Sequence, residues 1–164
     1  MGDQSPSTAS WPIALVSLIA ELAARPGRVT LLRQTPDTDS TVKLMAEALG
    51  QQPLSVGRVL TVDDGPPSSE RIPEVLADAT LLVDLDVLFW DALGVDPIAL
   101  LTILARKRPR LTVWPGQIVD DRAVYSEPGR RDYFSQRLVD AIVLTPRHVA
   151  YPDETPYAIE RIQV

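Results

Sequence analysis

Two segments of the sequence carry residue types suited to handling a phosphate and its metal ion. Leu81-Leu82-Val83-Asp84-Leu85-Asp86 is an apolar run that ends in two carboxylates. Arg33-Gln34-Thr35-Pro36-Asp37-Thr38-Asp39-Ser40-Thr41 follows another apolar run and supplies hydroxyls where a helix should begin. In phosphoryl-transfer sites a strand-end aspartate holds magnesium, and a hydroxyl at the start of a helix binds the same ion. Ser40, Thr41, Asp84 and Asp86 are therefore the candidate nucleotide-binding residues. The acid that activates water normally follows the strand-end aspartate directly, whereas here Leu85 separates Asp86 from Asp84. The same acids equally suit a strand that simply ends in a turn.

A working phosphate loop reads G-x-x-x-x-G-K-[ST]. Its glycines let backbone N–H groups wrap the phosphates, its lysine neutralises them, and its hydroxyl binds magnesium. Laid on that pattern, Arg33 and Thr38 take the glycine positions, Pro36 lacks an N–H, and Asp39 stands in place of the lysine with Asp37 close by. Two unit charges about 4 Å apart interact by about 4 kcal/mol at an effective dielectric of about 20, so exchanging attraction for repulsion costs several kcal/mol of nucleotide affinity. No cofactor is expected, and ATP with Mg²⁺ enters only if the loop works in an atypical way. A start rich in Ser, Thr and Asp is also an ordinary helix cap.

The bulk composition narrows the classes. The 164 residues, 45% hydrophobic and 23% charged, are enough for one core and too apolar for disorder. There are no cysteines, which excludes a disulfide framework, a thiolate metal site and a cysteine nucleophile. The single histidine, His148, leaves no material for a His-based triad or a multi-histidine metal site, so no catalytic residue and no metal ligand is assigned. The net charge of −6 opposes unspecific attraction to nucleic acid. The apolar stretch Pro12 to Ala20 is too short to span a membrane and lacks the basic lead of a secretory signal, so a cytoplasmic location is expected, without membrane association.

The elements that must position these residues alternate. A helix from Ile13 to Ala24, with Ile13, Val16, Ile19, Ala20 and Ala23 as its stripe, stops at Pro26-Gly27. Arg28–Arg33 reads as a strand, and a helix from about Thr38 runs to the cap Gly50. A second strand is expected within Leu54–Val62, a loop at Asp63-Asp64-Gly65-Pro66-Pro67, a helix over about Glu70–Ala77, and a third strand at Thr80–Asp84. Asp96 caps a helix over Pro97–Lys107 whose stripe is Ile98, Leu101, Leu104 and Ala105. Leu111–Trp114 is the fourth strand, Gln117–Tyr125 a short extension or hairpin, Arg131–Leu138 a short helix, and Ala141–Leu144 the last core strand. Strands alternating with helices imply an α/β fold with a mainly parallel sheet of about five strands. The expected division is a loose arm over 1–10, one domain over 11–145, and a proline-rich tail over 146–164 with no assignable element.

Several downstream segments add a family resemblance. The degenerate loop, Leu81–Phe89, Asp96-Pro97 and its helix, Thr112-Val113-Trp114-Pro115-Gly116, and Tyr125-Ser126-Glu127-Pro128-Gly129 through Tyr133 occur in this order. Over roughly Arg28 to Leu144 the chain resembles BrxF, the small P-loop protein of type III bacteriophage exclusion (BREX) systems. The resemblance implies an ASCE/RecA-like P-loop NTPase fold, a three-layer sandwich, in a cytoplasmic antiphage component. Its implied partners are a large ATPase, a DNA methyltransferase and an alkaline-phosphatase-like protein. Members with an intact loop look like nucleotide binders, and this chain departs from them at Arg33, Thr38 and Asp39. Three functions are then in play: a pseudo-NTPase scaffold or regulator, an atypical ATPase using Ser40, Asp84 and Asp86, and a DNA-contacting adaptor. The adaptor would use Arg106-Lys107-Arg108 and Arg110, together with Arg130-Arg131, although a basic helix end is also favourable electrostatics on its own.

Overall fold

A computed structural model describes residues 10–61 and 68–163. The expected arm, apart from Ser10, and the acidic Pro-Gly loop at 63–67 lie outside these residues.

The sheet at the centre of the fold is mixed and mostly parallel. Its strands are β1 (Thr30–Leu32), β2 (Leu54–Ser55), β3 (Leu81–Val83), β4 (Leu111–Val113), β8 (Ala141–Pro146) and β9 (Tyr157–Ile162), in the order β2-β3-β4-β1-β8-β9. All neighbours run parallel except β9, which pairs antiparallel with β8 from Ala141↔Ile162 to Pro146↔Tyr157. β1, β4 and most of β8 are buried on both faces, which is why they read as apolar runs rather than alternating ones. Part of the proline-rich tail is thus the sixth strand of the sheet, an element the sequence left unassigned. A second, antiparallel sheet joins β5 (Gln117–Val119), β6 (Arg122–Tyr125) and β7 (Phe134–Arg137).

Helices cover both faces of the main sheet. On one side α1 (Ile13–Ala24) and α2 (Thr38–Leu49) bury Leu15, Leu18, Leu22 and Met45 against Leu32, Leu111 and Leu144. On the other, α3 (Val56–Leu60), α4 (Ile72–Val75), α5 (Pro97–Lys107) and the small sheet bury Val56, Leu60, Ile72, Leu101, Leu104 and Ile118 against Leu31, Leu82 and Val143. α5 matches its expected limits: Asp96 accepts from the Ala99 N–H at 3.1 Å, and all four residues of the expected stripe are buried. α2 ends at Gly50 with φ 63°, the left-handed cap that glycine allows.

Four expectations change. The expected stripe of α1 points the wrong way, since Ile13 and Val16 are exposed while Leu15, Leu18 and Leu22 are buried. This helix is apolar almost all round, so periodicity could not choose a face; Glu21, bonded to Arg28 at 3.0 Å and Arg161 at 2.8 Å, holds the rotation. The stretch expected as a second strand is strand only at Leu54–Ser55 and turns into α3, with the Ser55 hydroxyl capping it at the Arg58 N–H, 3.2 Å away. The helix expected near Glu70–Ala77 shrinks to the single turn of α4. Arg131–Leu138 is not a helix: Phe134–Arg137 is strand β7, paired with β6 from Arg122↔Arg137 to Tyr125↔Phe134.

Candidate functional site

The expected site lies at the carboxyl ends of β1, β3 and β4, the edge of a parallel sheet where α/β proteins place ligands. A cleft of about 230 Å³ opens there, lined by Gln34, Thr38 and Asp39 from the loop and start of α2, and by Asp84 after β3. Val42, Pro53, Val83 and Val113 form its apolar wall. Two carboxylates and no cation line it, so a polyphosphate entering this cleft meets repulsion.

The loop closes on itself. Thr38 Oγ accepts from the Thr35 N–H at 2.8 Å and donates to the Arg33 carbonyl at 2.9 Å, while Thr35 Oγ accepts from the Asp37 N–H at 3.1 Å. These bonds use the Thr35 and Asp37 amides, Pro36 has none to give, and the Thr38 N–H is bonded to the Thr35 carbonyl at 3.2 Å. What a phosphate loop presents outward, this loop spends on its own turn. Arg33 turns away from the cleft: its guanidinium donates to the Ile118 carbonyl in β5 and pairs with Glu160 of β9 at 3.3 Å.

The four nucleotide-binding candidates do not converge. Ser40 is exposed on the first turn of α2 and does not line the cleft. Thr41 is buried, its hydroxyl committed to the Pro156 carbonyl at 3.1 Å, so it fastens the tail to α2. Asp84 does line the cleft, in left-handed backbone geometry with φ 56°, uncommon for a residue other than glycine. Its carboxylate accepts from Ser55 Oγ at 2.7 Å and its carbonyl from the Gly57 N–H at 3.0 Å, which ties it to the start of α3. Asp86 leaves for a different neighbourhood, where Tyr125 donates to it at 3.0 Å. Sequence reasoning gave Ser55 no role, because a lone serine before an apolar stretch carries no signal of its partner 29 positions away.

That second neighbourhood explains the Trp-Pro-Gly and Tyr-x-Glu-Pro-Gly segments. Trp114, fully buried at the end of β4, donates its indole N–H to the Val124 carbonyl at 3.0 Å. Gly116 sits so close to β6 that a Cβ there would land on the Val124 carbonyl oxygen. Tyr125 lies flat on Phe89, ring centroids 3.8 Å apart at 14°, and Phe89 meets Trp114 edge-on at 5.5 Å. The two segments thus fasten the small sheet over the carboxyl ends of β3 and β4. Burial, then the hydrogen bond that the hydroxyl donates to Asp86, push the Tyr125 pKa up to about 12.

The basic cluster separates in the same way. Arg110 is not a surface contact: it is buried and donates to the carbonyls of Leu76, Ala77, Ala79 and Leu104, binding the segment after α4 to the end of α5. Burial draws its pKa down to about 10, which leaves it charged at neutral pH. Arg108 donates to the Asp78 carbonyl at 2.9 Å. Arg106 and Lys107 are exposed at the end of α5, near the amino ends of the strands and opposite the cleft. Among the described residues no group of three metal-ligating side chains occurs, and no helix is long and apolar enough to cross a membrane. His148 is exposed in the turn before β9. Compared with known proteins, the chain matches no protein-family model, no curated protein and no solved structure.

Proposed function

We propose that this chain is a non-catalytic, P-loop-like subunit that acts as a scaffold or regulator in a cytoplasmic antiphage defence complex of bacteria. The observation that carries the non-catalytic part is the loop between β1 and α2, whose own hydrogen bonds consume the amides of Thr35 and Asp37 and which brings Asp39 beside Asp84 with no lysine or arginine in the cleft. A triphosphate would have to break that turn and lie against the like charges of Asp39 and Asp84 in doing so.

Strand order supports the P-loop-like reading. β1, which leads into the loop, is flanked by β4 and β8, and β4 stands between it and β3, which ends at Asp84. The commonest doubly wound orders, 3-2-1-4-5-6 and 2-1-3-4-5, instead put the second strand beside the first. This separation of the loop strand from the carboxylate strand is compatible with the ASCE/RecA-like fold that the resemblance implies. The defence role rests on the resemblance of the Trp-Pro-Gly and Tyr-x-Glu-Pro-Gly segments, which share one job here, and it implies a large ATPase, a methyltransferase or a phosphatase-like protein as partner.

The test is retention of partners by the tagged chain, purified from its native host as the wild type and as Ser40→Ala and Asp39→Ala. The same partners should remain with all three, and phage plaque counts should stay within about twofold of wild type, since surface changes of this kind shift stability by less than about 0.5 kcal/mol. Loss of protection by Ser40→Ala, with folding and assembly intact, would favour an atypical ATPase instead.

A further inference from the structure

Six of the nine aromatic residues gather at one place, and they come as two adjacent pairs plus Trp114 and Tyr125. In Phe89-Trp90 and Tyr133-Phe134 the inner rings, Phe89 and Phe134, meet edge-to-face at 5.6 Å in the buried stack. The outer rings do not: Trp90 is 53% exposed and Tyr133 41% exposed, and both line a cleft of about 410 Å³. Two aromatic side chains left partly in water on the walls of one cleft form an apolar surface that an occupant would cover. Both outer rings stand on backbone fixed by the stack beneath, so little is lost in ordering them on binding.

Charge decides what the occupant is. Asp91, Asp96 and Asp132 line the cleft against one cation, Arg131. Asp132 is engaged by Ser126 at 2.6 Å and by Arg130 at 3.5 Å, and Asp96 spends one oxygen on the α5 cap. Asp91 is exposed; its carbonyl accepts from the Gly94 N–H at 3.1 Å, and its carboxylate has no hydrogen bond or ion pair among the described residues. Aromatic walls with a free carboxylate at the rim select a cation, which gains from the ring faces and from the acid together. They also disfavour a nucleic-acid strand, whose bases would stack but whose phosphates would meet the acids.

We propose that the Trp90–Tyr133 cleft docks a basic side chain, arginine or lysine, presented by a protein partner. This goes beyond the scaffold role and does not depend on whether the loop at Asp39 is silent. The test uses the full chain with tetra-arginine and tetra-lysine peptides as probes, tetra-glutamate and a short oligothymidylate as controls, read by the ¹⁵N-indole signal of Trp90. A basic peptide should move that signal saturably and bind less well as salt rises. Trp90→Ala should weaken its affinity, measured by calorimetry, about tenfold, and Asp91→Asn by a smaller factor, while Glu74→Gln on α4 leaves it unchanged. Trp90 and Asp91 hold up no core, and should Trp90→Ala nonetheless misfold, Asp91→Asn alone decides the matter. Absence of saturable binding, basic-peptide affinity indifferent to Trp90→Ala and Asp91→Asn, or preferential binding of the oligothymidylate or the acidic peptide would each overturn the proposal.

Discussion

The Tyr125 hydroxyl donates to Asp86 across 3.0 Å while its ring lies on Phe89, so one side chain joins the hairpin of the small sheet to the carboxyl end of β3. The two contacts are separable. Tyr125→Phe keeps the stack and removes the hydrogen bond, and should cost about 1 kcal/mol. Tyr125→Ala removes both and should cost about 3 kcal/mol or more. Urea unfolding of the two variants against wild type reads the difference, and equal losses would mean that the ring contributes nothing.

The same tyrosine gives a pH dependence with a definite sign. Burial and Asp86 hold Tyr125 at about 12, and burial does the same for Tyr157 beneath Trp11. In the unfolded chain a tyrosine ionises at about 10. Folding therefore favours the neutral phenol: the stabilisation is whole below about pH 10 and is lost as pH rises toward 12. The urea midpoint should fall across that window, and fall less steeply in Tyr125→Phe. A midpoint that is flat there would show both phenols to be freely ionising.

Trp114 and Gly116 fix the turn under this assembly. Trp114→Ala leaves a void beside Phe89 and Phe134 and removes the indole's hydrogen bond to the Val124 carbonyl, and should cost about 3–5 kcal/mol. Gly116→Ala forces the turn away from β6 and should cost at least as much as an overpacked core position, about 1–3 kcal/mol. Thermal unfolding checks both; a parent-like melting temperature for Trp114→Ala would contradict the placement of β4.

How much of this was legible depended on whether the deciding contact was local. The cap at Asp96, the stripe of α5 and the glycine ending α2 are written within a few residues of where they act, and the structure reproduces them. β7 does not read as a strand in the sequence, because Phe134-Ser135-Gln136-Arg137 has no periodicity of its own and is a strand only by pairing with β6. β9 depends likewise on β8, across a connection that contains Pro152 and Pro156. The candidate site divided along the same line. Asp84 reaches the cleft as its strand-end position implied, whereas Thr41, Asp86 and Arg110 were claimed by partners 115, 39 and up to 34 positions away.

Arg110 shows what that distance hides. Its guanidinium, which in sequence belongs to a basic run, serves four backbone carbonyls in the interior. Arg110→Met should leave those acceptors poorly satisfied and cost about 3 kcal/mol or more, a fall of roughly 10 °C in melting temperature for a domain of this size. Lys107→Met, on the exposed neighbour, should shift it by no more than about 1 °C. Similar small shifts for both variants, seen by scanning calorimetry, would return Arg110 to the surface patch.

The central claim, that the loop between β1 and α2 does not hold a phosphate, is tested most directly by titrating MgATP and MgGTP into the isolated protein in a calorimeter. The closed turn at Thr35–Thr38 and the acids Asp39 and Asp84 predict no binding at micromolar affinity for either nucleotide. A saturating one-to-one isotherm, weakened by Asp84→Asn or Ser40→Ala, would contradict the account and make the site an active one.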